Sequence, residues 1–414
     1  MDILFAKLIV WDWIEFGVRW IHVIVGIAWI GSSFYFIALD LGLRQSKNLP
    51  SGVKGEEWQV HGGGFYNIRK FLVAPPDLPE NLVWFKWESY ATWISGFVLL
   101  AIVYYGGAEL LLIDVNVFEV SANQAILISI ASLVLGWIVY DRICKSRLGN
   151  NDTFLMITLF FVLVLMSFFY CNIFSGRAAF LHLGAFTATI MSGNVFFIII
   201  PNQKIVVSDL IAGKKPDPSF GRIAKQRSTH NNYLTLPVIF MMISNHYPIS
   251  FGAKYNWIIA ALIFLIGVSI RHYFNSVHAR KKRPIWTWLV TLFLFGATIS
   301  ISFIRPSENE SNQNVISDLN HDAIQHYNSK VFEQVRDSVV SRCAMCHARE
   351  PLWDGFAQAP GGVLLETDKD IASQAKLIYI SAGISNYMPP NNISYMEFEE
   401  RNTIKNWFED VYRE

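Results

Sequence analysis

Charge is scarce in this chain. Of its 414 residues only 16% are Asp, Glu, Lys or Arg, against 52% hydrophobic and 15% aromatic. Soluble domains carry about 25% charged residues, so the shortfall excludes an ordinary soluble protein and points to a lipid bilayer. Neither sign of charge dominates: 34 basic side chains face 33 acidic ones, a formal net charge of +1, which sets nucleic acid aside as a partner. Cysteine is scarce too, with four in all. Cys144 and Cys171 stand alone in or beside apolar segments, as small buried hydrophobes do. Also missing are a nucleotide-binding glycine loop, a serine triad and a zinc-protease helix motif. The opening MDILFAKLIVWDWIEF lacks a basic start and a small-residue cleavage site and carries Asp12 and Glu15. It reads as a retained interfacial lead-in rather than a removed signal peptide.

What the chain does have is long apolar runs. Segments of span-forming length lie near 16–40, 90–113, 123–141, 154–174, 178–201, 231–250, 256–275 and 285–304. The expected fold is therefore all-α, an eight-helix transmembrane bundle. Lys and Arg crowd into alternate connections: 41–88, the turn after 141, 202–230 and the turn after 270. The positive-inside rule makes these connections cytoplasmic, which puts both termini outside. After Ile304 the composition turns abruptly polar in RPSENESNQNVISDLN. The domain organisation read from this is a membrane domain over 1–304, a linker over 305–320 and a small domain over 321–414. An internal four-plus-four repeat is also written in the sequence. IHVIVGIAWIGSSFYFI from Ile21 aligns without a gap on LHLGAFTATIMSGNVFFII from Leu181, and matches His22 with His182 at an offset of 160 residues.

The last domain carries Cys343-Ala-Met-Cys346-His347. C-x-x-C-H is the attachment site of c-type haem: two thiols bond the haem vinyl groups, and the adjacent imidazole becomes an iron ligand. A zinc site would want a second Cys or His pair downstream, and none follows His347. The sixth ligand expected is Met388 in SNYMPPNN, where prolines stiffen the loop; Met396 is the runner-up. In motif order the domain resembles class I cytochromes c. Haem c is attached outside the cytoplasm, where the charge count independently places this tail.

Ionisable groups within spans are costly and are functional candidates by default. His22 and His182 fall at similar depth on the first and fifth spans, and facing imidazoles across a bundle are a way to hold b-type haem. A second set lies near the inner face. His61 stands in VHGGGFYNIRKF, where three glycines allow either close backbone approach to something flat or a plain turn. Trp84, Lys86, Trp87, Glu88 and Tyr90 stand in WFKWESY, readable in part as an aromatic interface belt. His230 opens the sixth span, and His272, Asn275 and His278 lie at the inner end of the seventh.

Taken together, HGGGFYNIRKF, WFKWESYATWISGF, RHYFN and the terminal CAMCH with MPP resemble the membrane-bound, cytochrome c-fused urate oxidase (urate hydroxylase) family of bacteria. The resemblance implies a multi-pass protein of the bacterial inner membrane that oxidises urate to 5-hydroxyisourate. It also implies that electrons go to the attached haem c, and from there to a soluble periplasmic cytochrome or a terminal oxidase. Urate is a planar monoanion near neutral pH, so a cation, amide or imidazole partners and an aromatic platform are wanted. The inward set supplies His61, Lys86, Glu88, His272 and Asn275 as catalytic candidates, with Lys70 and Arg271 as further cations. His61, His272 or Glu88 would serve as the base. Because a hydrocarbon layer of about 30 Å separates this set from the outer haem, an intermediate carrier is expected, haem b on His22 and His182. The rival readings are a quinol-to-cytochrome c electron-transfer protein using the same histidines, and a transporter with a redox-sensing tail.

Overall fold

The computed structural model describes residues 3–71, 75, 78–114, 117–304, 321–353, 359–384 and 388–411. The expected linker, 305–320, lies outside the described residues. Helices dominate. α1 (Ile3–Gly42) leads to a β-hairpin, β1 (Val53–His61) and β2 (Gly64–Phe71). α2 (Trp87–Leu99) continues through π-helical turns at Leu100–Tyr105 and Ala108–Leu112. α3 (Ala122–Lys145), α4 (Asp152–Cys171), α5 (Gly176–Gly193), a π turn at Asn194–Ile199, α6 (Ile200–Ile211) and α7 (Pro218–Ile243) follow. After the short α8 (Pro248–Phe251) come α9 (Asn256–His278) and α10 (Trp286–Ser302).

Among the described residues, five helical stretches are long and apolar enough to cross a membrane: Val10–Gly42, Ala122–Lys145, Asp152–Cys171, Gly176–Ile211 and Asn256–His278. The other three expected spans also fall on helices, but of different character. The stretch 90–113 is broken into π turns, 231–250 is the apolar end of an otherwise polar α7 that contains Pro237, and 285–304 holds the 17-residue α10. Local signals fix the ends. Ser121 caps α3 in a reciprocal box with Gln124, and Asn151 and Ser175 cap α4 and α5 by accepting from Phe154 N and Ala178 N.

The hairpin corrects the all-α expectation. Eight of the nine residues of β1 pair antiparallel with β2, from Val53 opposite Phe71 to His61 opposite Gly64, with a bulge at Lys54. The two-residue turn, Gly62 and Gly63, has φ of 58° and 81°. Both values lie in the left-handed region that a tight hairpin turn demands and glycine supplies without a steric cost. The glycine run after His61 is thus a turn.

Two separate cores form. The larger is built from α2 to α9 around Tyr170, Phe174, Phe180, Phe186 and Phe264. The smaller lies in the tail, formed by α11 (His321–Tyr327), α12 (Phe332–His347), α13 (Asp368–Ser373), α14 (Ala375–Ile378) and α15 (Phe398–Asp410) around Val339, Tyr379, Trp407 and Phe408.

Candidate functional site

The bundle interior holds a connected set of polar side chains, which is costly unless its members satisfy one another. Its hub is His230-Asn231-Asn232 on α7. Asn194, in the π turn after α5, donates through Nδ2 to the Tyr140 hydroxyl at 2.9 Å and to Asn231 Oδ1 at 2.9 Å. The Tyr140 hydroxyl meets His230 Nδ1 at 2.8 Å. The Arg227 guanidinium, 1% exposed, lies over the Tyr140 ring and donates to Asp141 Oδ1 at 2.8 Å. Asn231 Nδ2 closes the set on the Met191 carbonyl at 2.9 Å.

On the α9 side of the same stretch, Asn275 bridges two groups. It donates through Nδ2 to Asn232 Oδ1 at 2.8 Å and accepts on Oδ1 from Arg271 at 3.1 Å. The Arg271 guanidinium sits 4.0 Å from the centre of the Phe34 ring of α1. Two donors in this corner, Arg271 Nε and Asn232 Nδ2, are buried and have no protein partner. Such groups are rare in native structures and each calls for an explanation. A cation and an amide with unspent donors beside an aromatic ring form a receptor for a flat, acceptor-rich anion.

The expected site residues are only partly assembled. Asn275 joins this corner with Arg271. His272 turns outward, meeting Tyr233 OH at 3.3 Å and Trp286 at a ring separation of 6.1 Å. Lys86 caps α2 and lies 5.9 Å from the Trp87 ring centre. His61 is exposed at the hairpin tip. Lys70 is spent on Asp40. Glu88 keeps a buried, unpartnered Oε2. Arg227, Asn194 and Asn232 were missed by sequence reasoning. The stretch QRSTHNNY reads as a polar loop entering a span, yet four amide or basic residues within six positions of a helix were a usable signal.

The two histidines of the expected haem b pair have different partners. His22 Nδ1 donates to Ser95 Oγ at 3.0 Å, because the Ser95 hydroxyl is itself committed to the Ala91 carbonyl at 2.6 Å. His182 is fully buried. Its Nδ1 donates to the Ala178 carbonyl at 2.7 Å, and its Nε2 accepts from Ser129 Oγ at 2.8 Å. An axial ligand must offer iron a nitrogen lone pair, and the Nε2 lone pair of His182 is taken here by the Ser129 hydroxyl. The His182 ring is packed among Tyr104, Tyr170 and Phe174. The two segments of the suggested repeat therefore differ in surroundings: His22 lines a cavity, while His182 is sealed in the core.

In the tail, Cys343, Cys346 and His347 occupy the last turn of α12, with both thiols free. His347 Nδ1 donates to the Val363 carbonyl at 2.9 Å, which fixes the tautomer and leaves the lone pair on Nε2. Burial pushes the Cys343 thiol up to about 12 and raises that of Cys346. A thioredoxin-like dithiol needs the opposite shift. Met388 packs on the same core as Cys343. Its carbonyl, with that of Ala382, is held by the buried Arg401 of α15 at 2.8 and 2.9 Å. The donor set, one buried thiol, one half-buried thiol, an oriented imidazole and a thioether on a tethered loop, fits a covalently attached haem.

A cavity of about 2500 Å³ separates the two parts. His22, Trp93 and Tyr104 line it from the bundle, and Gly361, Val363 and Leu364 line it from the tail. It thus reaches the backbone segment that orients His347.

Comparison with known proteins agrees with this geometry for the bundle. No curated protein and no solved structure matches the chain. The family model described as urate oxidase N-terminal matches residues 8–302, which span α1 to α10 with the hairpin and the polar network. By that match the chain is a member of the urate oxidase N-terminal family.

Proposed function

We propose that this protein is a membrane-embedded urate-oxidising enzyme that delivers electrons to a haem c carried on its own tail. The observation that carries the reading is the pair of unspent buried donors, Arg271 Nε and Asn232 Nδ2, held together by Asn275 and backed by Phe34. Urate, as a planar monoanion, supplies the carbonyl oxygens and negative charge that such donors require. The family match over the bundle supports the same substrate.

Conversion of urate to 5-hydroxyisourate adds one water and releases two electrons and two protons. Arg271 and Asn232 bind and orient the anion, and Asn275 holds both in place. Of the three expected bases, His61 and His272 face outward, and Glu88 retains a buried oxygen without a partner. Glu88 is the group assigned to take up a proton. Cys343, Cys346, His347 and Met388 would hold the haem, which when bound supplies a one-electron acceptor; each urate therefore reduces it twice, the electrons leaving one at a time to the external acceptor. Arg401 keeps the Met388 loop in register with the core. Eight spans with both termini outside the cytoplasm complete the proposed topology, with the tail facing a soluble cytochrome or a terminal oxidase.

The test is the visible spectrum of the full-length protein in detergent, recorded without oxygen before and after urate is added. Reduction of the haem bands by urate supports the proposal. Reduction by dithionite or a quinol, but not by urate, rejects it in favour of a quinol-to-cytochrome c relay.

A further inference from the structure

The hairpin connecting α1 and α2 has no role in the chemistry above, yet one of its faces is conspicuously apolar. Strand alternation puts Glu57, Gln59 and Ile68 on one face and Trp58, Val60 and Phe65 on the other. The first face packs on α1: the Glu57 carboxylate fills the space above Gly42, and Gln59 Oε1 accepts from the Tyr35 hydroxyl at 2.7 Å. The second face is bare toward the tip, with Trp58 65% exposed, Val60 69% and Phe65 78%, while Asn67 and the Glu56–Arg69 ion pair occupy the same face nearer the root.

Direction decides what this face meets. Tyr35 lies seven residues before Gly42, or about 10 Å back along a helix axis, within the stretch of α1 fit to cross a membrane. The strand progresses from Glu57 beside Gly42 to Gln59 beside Tyr35. The hairpin therefore folds back alongside α1, toward the bilayer and not away from it. At the same level α1 and the entry to α2 expose more rings: Phe36 packs on Phe85 at 4.8 Å, and both are exposed, as is Trp87. Trp, Tyr and Phe at one depth form the belt that marks a membrane boundary. The polar root of the hairpin matches. Lys54, Lys70 and Lys225 converge on Asp40, so three ammonium groups share one carboxylate, and the remaining positive charge suits lipid phosphate.

We infer that the hairpin is a membrane-boundary wedge. Trp58, Val60 and Phe65 insert between lipid headgroups and acyl chains beside α1, while the lysines at its root face anionic headgroups. The occupant of the bare face is lipid. This inference needs only that α1 crosses the membrane, and it stands apart from the identity of the substrate.

The experiment uses the full-length protein in lipid nanodiscs with single nitroxide labels after Val60→Cys, Phe65→Cys, Ile27→Cys and Lys47→Cys, the unsubstituted chain serving as labelling background. Collision with dissolved oxygen reports lipid, and collision with a water-soluble nickel chelate reports solvent. Labels at 60 and 65 are expected to follow Ile27, an exposed mid-helix position of α1, in favouring oxygen; Lys47, in the exposed connection, should favour nickel. If 60 and 65 follow Lys47 while Ile27 favours oxygen, the wedge is refuted and α1 still spans. If Ile27 also favours nickel, α1 does not span and the wedge falls with it. Label-to-label dipolar broadening at 60 or 65 that disappears when labelled protein is diluted with unlabelled protein would assign the face to a second copy and overturn the lipid reading.

Discussion

Replacing Arg271 by Lys keeps the positive charge and removes the planar fork. In the structure that fork does three things: it donates to Asn275 at 3.1 Å, stacks on Phe34 at 4.0 Å and leaves Nε unspent. A lysine ammonium cannot reproduce the stacked, forked geometry. If Nε is spent on urate, the variant loses one charge-assisted hydrogen bond, worth about 1.5–3 kcal/mol. At about 1.4 kcal/mol per factor of ten, kcat/KM for urate falls roughly 10- to 150-fold. The assay is the initial rate of urate-driven haem reduction without oxygen, across a range of urate concentrations. Thermal unfolding of the same samples controls for a general loss of structure. A change smaller than about threefold, with unchanged stability, would refute the assignment of this corner as the urate receptor.

Joint Cys343→Ser and Cys346→Ser substitution should remove all haem absorbance, since the Nε2 lone pair of His182 is taken by the Ser129 hydroxyl; a b-type spectrum persisting in that variant would show that the bundle holds a haem after all. Arg401→Leu strips the donors from the Ala382 and Met388 carbonyls, so at about 1–3 kcal/mol per orphaned acceptor the tail should unfold at lower denaturant, and the red charge-transfer band of thioether-ligated ferric haem should weaken. Gly267→Ala sets a methyl group 2.5 Å from the Pro237 ring at the α7–α9 crossing, and is expected to cost about 1–3 kcal/mol, read as a lower thermal midpoint. The Glu56 carboxyl is held below its ordinary range by hydrogen bonds from Asn67, Ser46 and Arg69. A carboxyl depressed on folding stabilises above its unfolded pKa and ceases to do so as pH falls through its folded value, so the protection of amides in 53–71 against hydrogen exchange, taken relative to unstructured-chain rates at each pH, should fall on acidification below about pH 4, and Glu56→Gln should flatten that dependence.

Much of the architecture was legible because it rests on composition and period. Apolar runs mark helices wherever they fall. The hairpin was legible in principle: Gly62-Gly63 between β-rich flanks is a strong short-range turn signal. The surrounding helices drew attention away from it. The polar network was not legible, since Asn194, Arg227 and Asn275 meet only through the packing of three helices. His182 misled for a related reason. A sequence displays the imidazole but hides the Ala178 carbonyl and Ser129 hydroxyl that occupy its two nitrogens.

The bundle and the tail have separate cores, and the proposed urate receptor draws on neither tail helix nor tail loop among the described residues. On the proposed function, substrate choice and electron acceptor therefore rest on separate cores. A chain built this way can exchange its acceptor domain without rebuilding its receptor, so long as the replacement still presents a backbone segment to the cavity beside His22.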